Sequence, residues 1–343
     1  MTETLLSVRD LKVSYKVGRG TLDAVDGASF DVPRGSIVGL VGESGCGKTT
    51  VARALTRVIA DNATISGGQL LFEGRDLAAI SEREMNAMRW RDIAFIPQSA
   101  MNSLDPVYTV EYQLNEVLRK RGGLGRAQAR KRCEELFEMV GIETNRLGDF
   151  PHQFSGGMRQ RVAIALALAL NPKLVIADEP VTALDVIVQR QILDQLRELQ
   201  QQLGISVILV THDISVVAYI CDRTVVMYAG RVAEQGTMEA TLTQPSHPYT
   251  MGLRNAFPDL QGAASGMLTP INGAPPNLAL PPPGCRFAPR CPFAIDKCTT
   301  VSPETLEVAA GHGAACHRAD EASKLRKLAT RTETWMTTEM AEA

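Results

Sequence analysis

Nowhere does the chain carry an apolar run approaching the roughly 18 residues that cross a bilayer. The best, Val162 to Leu170, is closed by Asn171 and Pro172. Any membrane role must therefore run through a partner. An excess of positive charge is also missing: 36 Lys and Arg against 38 Asp and Glu leave a formal net charge of -2 and a pI near 6.3. Without a basic field, nucleic acid is not an expected partner. Met1 to Asp10 holds no apolar core followed by a small-residue cleavage site, so export is not expected and the cytoplasm is the anticipated compartment. No internal repeat is present. Of seven cysteines, Cys46, Cys133 and Cys221 are scattered while Cys285, Cys291, Cys298 and Cys316 crowd the C-terminal quarter. In a reducing compartment that crowding points to metal, not to disulfides.

What is present is ordinary globular composition, 45% hydrophobic and 22% charged, over 343 residues, enough for one large unit and a smaller one. Short apolar runs (Ile37 to Val41, Asp92 to Ile96, Leu174 to Ala177, Val207 to Val210, Thr224 to Met227) alternate with helix-like segments, the α/β pattern of a mostly parallel sheet. From about Asn102 to Gly157 the chain reads as an inserted helical subdomain, with helices expected over Tyr112 to Arg119 and Gln128 to Val140. Gln189 to Leu203 has apolar residues at helical spacing and Gly204 as a C-cap. A boundary is expected near residue 255, leaving 1–255 as one domain and 256–343 as an extension. That extension opens on the Gly- and Pro-rich stretch Gly262 to Pro283 and ends in a charged tail, Asp320 to Ala343, expected to be a frayed helix.

Gly42-Glu43-Ser44-Gly45-Cys46-Gly47-Lys48-Thr49 fits the phosphate-loop pattern at every position, after an apolar strand and before a helix-like Thr50 to Ile59. Glycines let backbone N-H groups converge on phosphate oxygens, the helix N-terminus adds its dipole, Lys48 adds a full charge and Thr49 offers a hydroxyl to magnesium. Thr50 closes the nucleotide-contacting set. Positive charge near Cys46 can lower a thiol pKa, although a small residue filling space is the plainer reading. A bulky reagent on that thiol is expected to block ATP. Downstream, the strand Leu174 to Ala177 delivers Asp178 and Glu179 at its C-terminal end. Such a pair is common as a cap or solvated turn; with a phosphate loop upstream, Asp178 reads as a magnesium ligand and Glu179 as the base that polarises the attacking water.

With Phe154-Ser155-Gly156-Gly157-Met158-Arg159-Gln160-Arg161 lying 23 positions before Asp178, counted from Ser155, the chain resembles the ATPase subunits of ABC transporters. The resemblance implies a phosphate-loop, RecA-like ABC ATPase domain with an inserted helical subdomain, and covers about residues 5 to 255. It implies that Ser155, Gly156 and Gly157 contact ATP held by an opposite subunit, and that Gln98 senses magnesium and the membrane partner. It also implies that Ala183-Leu184-Asp185 signals between half-sites and that His212 steadies the γ-phosphate. Tyr15 is the candidate to stack on adenine, by approximate position. Ile65-Ser66-Gly67-Gly68-Gln69 matches the family signature more literally but lies too early and leads into Leu70-Leu71-Phe72-Glu73, so it reads as a turn.

Met101-Asn102-Ser103-Leu104-Asp105-Pro106, His247-Pro248-Tyr249-Thr250 and the cysteine-containing extension resemble the oligopeptide and dipeptide importer branch. In the extension, Cys285, Cys291, Cys298 and Cys316 are separated by five, six and seventeen residues. Four thiolates suit iron-sulfur or zinc, the wide spacing weighs against a zinc ribbon, and free thiols remain an alternative. Some members of this branch carry a 4Fe-4S cluster on such cysteines. His312 and His317 read as solvated loop residues. The resemblance further implies ATP and magnesium as ligands, a second and different ATPase subunit, two transmembrane permease subunits and an extracytoplasmic substrate-binding protein, with this chain peripheral at the cytoplasmic face of the membrane. Nickel, opine, glutathione or oligosaccharide import is the alternative cargo. A soluble ABC ATPase of nucleic acid is disfavoured by the missing second phosphate loop, heptad insertion and basic field.

Overall fold

The computed structural model describes residues 3–18, 20–98, 103–182, 184–256 and 270–336. Met101, Asn102, Ala183, the start of the Gly- and Pro-rich stretch and residues 337–343 of the tail lie outside them. Two sheets form. In the first, β1 (Thr4–Val17) pairs antiparallel with β2 (Gly20–Pro33) and, after β3 (Ile37–Val41), with β4 (Ala63–Phe72), which carries the short β5 (Arg75–Asp76). The second contains β6 (Ile93–Ile96), β7 (Leu174–Asp178), β8 (Ser206–Thr211), β9 (Arg223–Tyr228), β10 (Arg231–Thr237), β11 (Leu306–Ala309) and β12 (His312–Ala314). Its order is β11-β12-β10-β9-β3-β8-β7-β6.

The five expected strands appear as β3, β6, β7, β8 and β9, all parallel, because short apolar runs buried on both faces are what such a sheet requires. Alternate residues feed two cores. Ile37 and Val41 of β3 face the helices, whereas Val38 and Leu40 face the antiparallel sheet and the helix Lys48–Thr56. Each such fully buried aliphatic side chain contributes about 1.5–3 kcal/mol. The inserted helices fall at Val110–Glu116, continued as a π-helix through Arg121, and at Arg126–Met139. Gly204 ends Val186–Leu203 with φ 63°, the left-handed cap that glycine provides. Among the described residues, no helix is long and apolar enough to cross a membrane.

Four expectations change. The early Ser-Gly-Gly row is not a turn but the middle of β4, bulged where it passes β1. There Gly68 has φ 85°, and a Cβ would strike the carbonyl oxygens of Arg9 and Asp10 at 2.5 Å. The tail is not frayed over its described part, since Ala322–Ala329 is a helix that buries Leu325, and Trp335 packs against Phe293. Nor does the extension stand apart. β12 lies antiparallel on β10, pairing Ala314 with Glu234, so the C-terminal segment completes the main sheet. His312 is correspondingly buried and not solvated, whereas His317 meets the Val301 carbonyl in an exposed contact.

Candidate active site

The phosphate loop curls from the end of β3 into the helix Lys48–Thr56. Two of its glycines are demanded by crowding: a Cβ on Gly42 would lie 2.1 Å from the Met227 carbonyl oxygen and one on Gly47 2.4 Å from that of Ala24. Ser44 and Gly45 form the outer turn of the loop, Gly45 at φ 79°. Lys48 is buried and its ammonium donates to the carbonyls of Gly42 (2.7 Å) and Glu43 (2.9 Å), curling the loop around itself. Thr50 meets the Tyr15 hydroxyl at 3.2 Å, which sets the half-buried ring of Tyr15 beside the loop. Cys46 is buried with its sulfur 3.7 Å from Nζ of Lys48. Burial dominates the lysine's charge, so its thiol pKa is raised, as a space-filling residue's would be.

Asp178 and Glu179 part company at the end of β7. Asp178 is buried and accepts from Thr49 Oγ1 at 3.1 Å; desolvation raises its pKa despite that bond. Glu179 takes φ 48°, left-handed and costly for a non-glycine residue, and its side chain bonds a different set of residues. Its Oε1 meets Nδ1 of His212 at 2.9 Å, while Oε2 accepts from Gln98 Nε2 (2.8 Å) and Thr182 Oγ1 (3.1 Å). Burial pushes the Glu179 carboxyl up, but His212, Thr182 and Gln98 together outweigh it and leave the pKa lowered. At neutral pH Glu179 is therefore an ionised acceptor, the state a general base needs. Residues 81 and 33 positions from Glu179 in the chain converge on one carboxylate.

A phosphate loop, a buried Thr-Asp pair and an ionised carboxylate gather at the C-terminal ends of parallel strands, where ligands of such sheets bind. Residues 25–182 match the model of the ABC transporter family, and residues 233–298 match the oligopeptide/dipeptide transporter C-terminal region. The chain is 45% identical over 324 residues to the dipeptide transport ATP-binding protein DppD of Bacillus subtilis, covering 93% of this chain and 96% of that one. The chain belongs to the ABC transporter ATPase family. It is also 46% identical over 294 residues to the B. subtilis oligopeptide transport ATP-binding protein OppD, covering 85% and 82% of the two chains. Among solved structures, the dimeric post-hydrolysis state of the ATP-binding cassette MJ0796 bound to ADP and Pi aligns at TM-score 0.61 and 28% identity, covering 68% of this chain and 98% of that one. CbiO1 from Clostridium perfringens aligns at TM-score 0.60 and 30% identity, covering 71% and 92%.

Other expected residues of this ABC ATPase stand at the starts of two helices. Ser155 caps the helix Gly156–Ala167, its Oγ accepting from the Met158 N-H at 3.3 Å, and Gly157 sits against Val188. Asp185 caps Val186–Leu203 through the Val188 N-H at 2.9 Å.

Cys285, Cys291, Cys298 and Cys316 do come together, lining one small pocket of about 10 Å³, barely the room that a single water needs. Burial pushes the thiols of Cys291 and Cys316 up to about 12 and about 11. Among the described residues, no group of three or more His, Cys, Asp or Glu is arranged to hold a metal ion. By donor chemistry the pocket fits a thiolate-held group; by spacing it is not preformed for a single ion. Sequence reasoning missed Thr182, whose bond to Glu179 only the turn after β7 creates. It also missed the roles of Tyr249 and Arg290, which reach the phosphate loop from the extension side.

Proposed function

We propose that this chain is the ATP-hydrolysing subunit of an ABC importer for oligopeptides or dipeptides, peripheral to the cytoplasmic face of a membrane. The observation that carries the reading is the likeness over 93% of the chain to a dipeptide transport ATP-binding protein, running on through the C-terminal region. ATP lies on residues 42–50 with its adenine against Tyr15, and Lys48 exchanges loop carbonyls for phosphate oxygens. Thr49 and Asp178 hold magnesium with Gln98 nearby. A cation would offset the desolvation that raises the Asp178 pKa, which supports this pairing. Held there, the ion would neutralise charge on the phosphoryl oxygens. Glu179 takes the proton of the attacking water, and His212, on its other oxygen, steadies the γ-phosphate.

Each site is completed by Ser155, Gly156, Gly157 and Asp185 of a second ATPase subunit, a different chain. The exposed apolar pair Val186 and Ile187, directly after Asp185, supports a covered face there. Two permease subunits and an extracytoplasmic binding protein complete the importer. A 4Fe-4S cluster held by Cys285, Cys291, Cys298 and Cys316 belongs to the same proposal, supported by their shared pocket. Once bound, it would cross-link the segments that carry these cysteines.

The test is to purify the complex and assay ATPase, labelled-dipeptide uptake, iron and acid-labile sulfide, with a Glu179→Gln control. Turnover should fall by about 10²–10⁴ in the control with ATP still bound. Unchanged hydrolysis would remove Glu179 from the mechanism, absent uptake would remove the cargo, and absent iron and sulfide would remove the cluster.

A further inference from the structure

Glu43, the second residue of the phosphate loop, brings a carboxylate to a loop that must attract polyphosphate, and like charge there opposes binding unless it is neutralised. The neutralising charge comes from the extension, 247 positions away in the chain. Arg290 grips Glu43 with both arms of its guanidinium, Nη1 to Oε2 at 2.7 Å and Nη2 to Oε1 at 3.1 Å, and its side chain is only 7% exposed. Such bidentate, desolvated pairs are the strong ones. The remaining donors of Arg290 are also placed: Nη1 to the Tyr228 hydroxyl at 3.2 Å, Nε to the Asn272 carbonyl at 2.9 Å and Nη2 to the Ile271 carbonyl at 3.3 Å.

The backbone of Glu43 is held as well. Its N-H donates to the hydroxyl of fully buried Tyr249 at 2.9 Å, and its carbonyl accepts from Lys48 Nζ at 2.9 Å. Tyr249 belongs to the row His247 to Thr250, and His247 lines the cysteine pocket. Arg290 itself ends a single turn wound between two pocket cysteines: Ala288 N-H donates to the Cys285 carbonyl at 3.0 Å and Cys291 N-H to that of Ala288 at 3.2 Å. The wall of the cysteine pocket and the arm that holds the phosphate loop are one piece of backbone.

We propose that Arg290 is a positioning residue of the phosphate loop, whose pairing with Glu43 makes ATP affinity depend on the C-terminal extension. The proposal rests on the ATP site described above and adds to it a control that no part of the nucleotide-binding segment supplies alone.

The experiment titrates the purified full chain with a fluorescent ATP analogue at low and high salt, with thermal unfolding followed in parallel. At an effective dielectric near 20, two unit charges about 10 Å apart interact by an energy worth on the order of tenfold in affinity. Arg290→Gln should therefore weaken ATP binding about tenfold at low salt and less at high salt. Arg290→Lys, which keeps the charge and loses the fork, should stay within about threefold of wild type. Adding Glu43→Gln to Arg290→Gln should restore binding to within about threefold, because the offending charge is gone. Glu43→Gln alone, which leaves Arg290 unpaired near the phosphates, should bind at least as tightly as wild type, and it tests the idea even where Arg290→Gln does not fold. Wild-type affinity in a folded Arg290→Gln protein, equal losses for the Gln and Lys variants, no restoration in the double variant, or weaker binding by Glu43→Gln would each overturn the proposal. Failure of the wild-type chain to bind the analogue would instead strike the ATP site itself.

Discussion

Gly157→Ala is the sharpest test of how the helix Gly156–Ala167 is held. A methyl at residue 157 would sit 2.7 Å from Val188 Cγ1, where carbon atoms at rest stand about 3.5–4.0 Å apart. Val188 cannot swing clear, because a β-branched residue in a helix has one strongly preferred χ1. The N-terminus of Gly156–Ala167 must therefore retreat by about 1 Å from Val186–Leu203, at about 1–3 kcal/mol of overpacking. Ser155 and the first amides of that helix move with it, and a misplacement of about 1 Å costs on the order of a hundredfold in rate. The expected pattern is a turnover about a hundredfold down, with ATP affinity of the isolated chain unchanged, because its own phosphate loop is untouched. Val188→Ala removes the clashing methyl, so the double variant should recover to within about tenfold of wild type. Steady-state ATPase assays paired with nucleotide titrations separate the two quantities. Turnover of Gly157→Ala within twofold of wild type, or no recovery in the double variant, would refute the steric argument.

Two further outcomes follow from groups outside the cleft. Glu234 is fully buried and accepts from the Ser246 N-H (2.6 Å), the His247 N-H (3.0 Å) and His312 Nε2 (2.7 Å), so Glu234→Gln must turn an amide against one of these donors. About 2–4 kcal/mol should be lost, read as a lower urea midpoint, and a loss under about 1 kcal/mol would contradict this. Cys46 keeps its proton to higher pH than a free thiol because burial disfavours the thiolate, so alkylation should be slow at neutral pH, accelerate only above the usual thiol range and be blocked by ATP. Fast labelling of the folded protein at neutral pH would contradict that placement.

The parallel strands and the loop were legible because each is a local pattern: four or five apolar residues buried on both faces, or eight residues whose types are dictated by phosphate. The antiparallel sheet was not. Its long strands are half exposed, bulged and rich in polar residues, so β1 and β2 carry no simple alternation, and β4 hides the Ser-Gly-Gly row that mimics a signature. His312-Gly313-Ala314 has no strand character of its own; it becomes β12 because β10 offers an unpaired edge and Glu234 a buried acceptor. Asp178 and Glu179 were recognisable as a pair, yet only the left-handed turn at Glu179 shows which oxygen meets His212 and which meets Gln98. Glu43 sat in the phosphate loop and Arg290 beside Cys291, and nothing local to either pointed to the other.

Completion of the main sheet from its far C-terminal side has a consequence for the order in which the protein is made. Glu234 emerges from the ribosome 78 residues ahead of His312. At about 5–20 residues per second, β10 spends about 4–16 s as an open sheet edge with a charged side chain awaiting its partner. During that interval the nascent ATPase presents a row of unsatisfied N-H and C=O groups to any passing strand. The strand that covers this edge is thus made well after the edge itself.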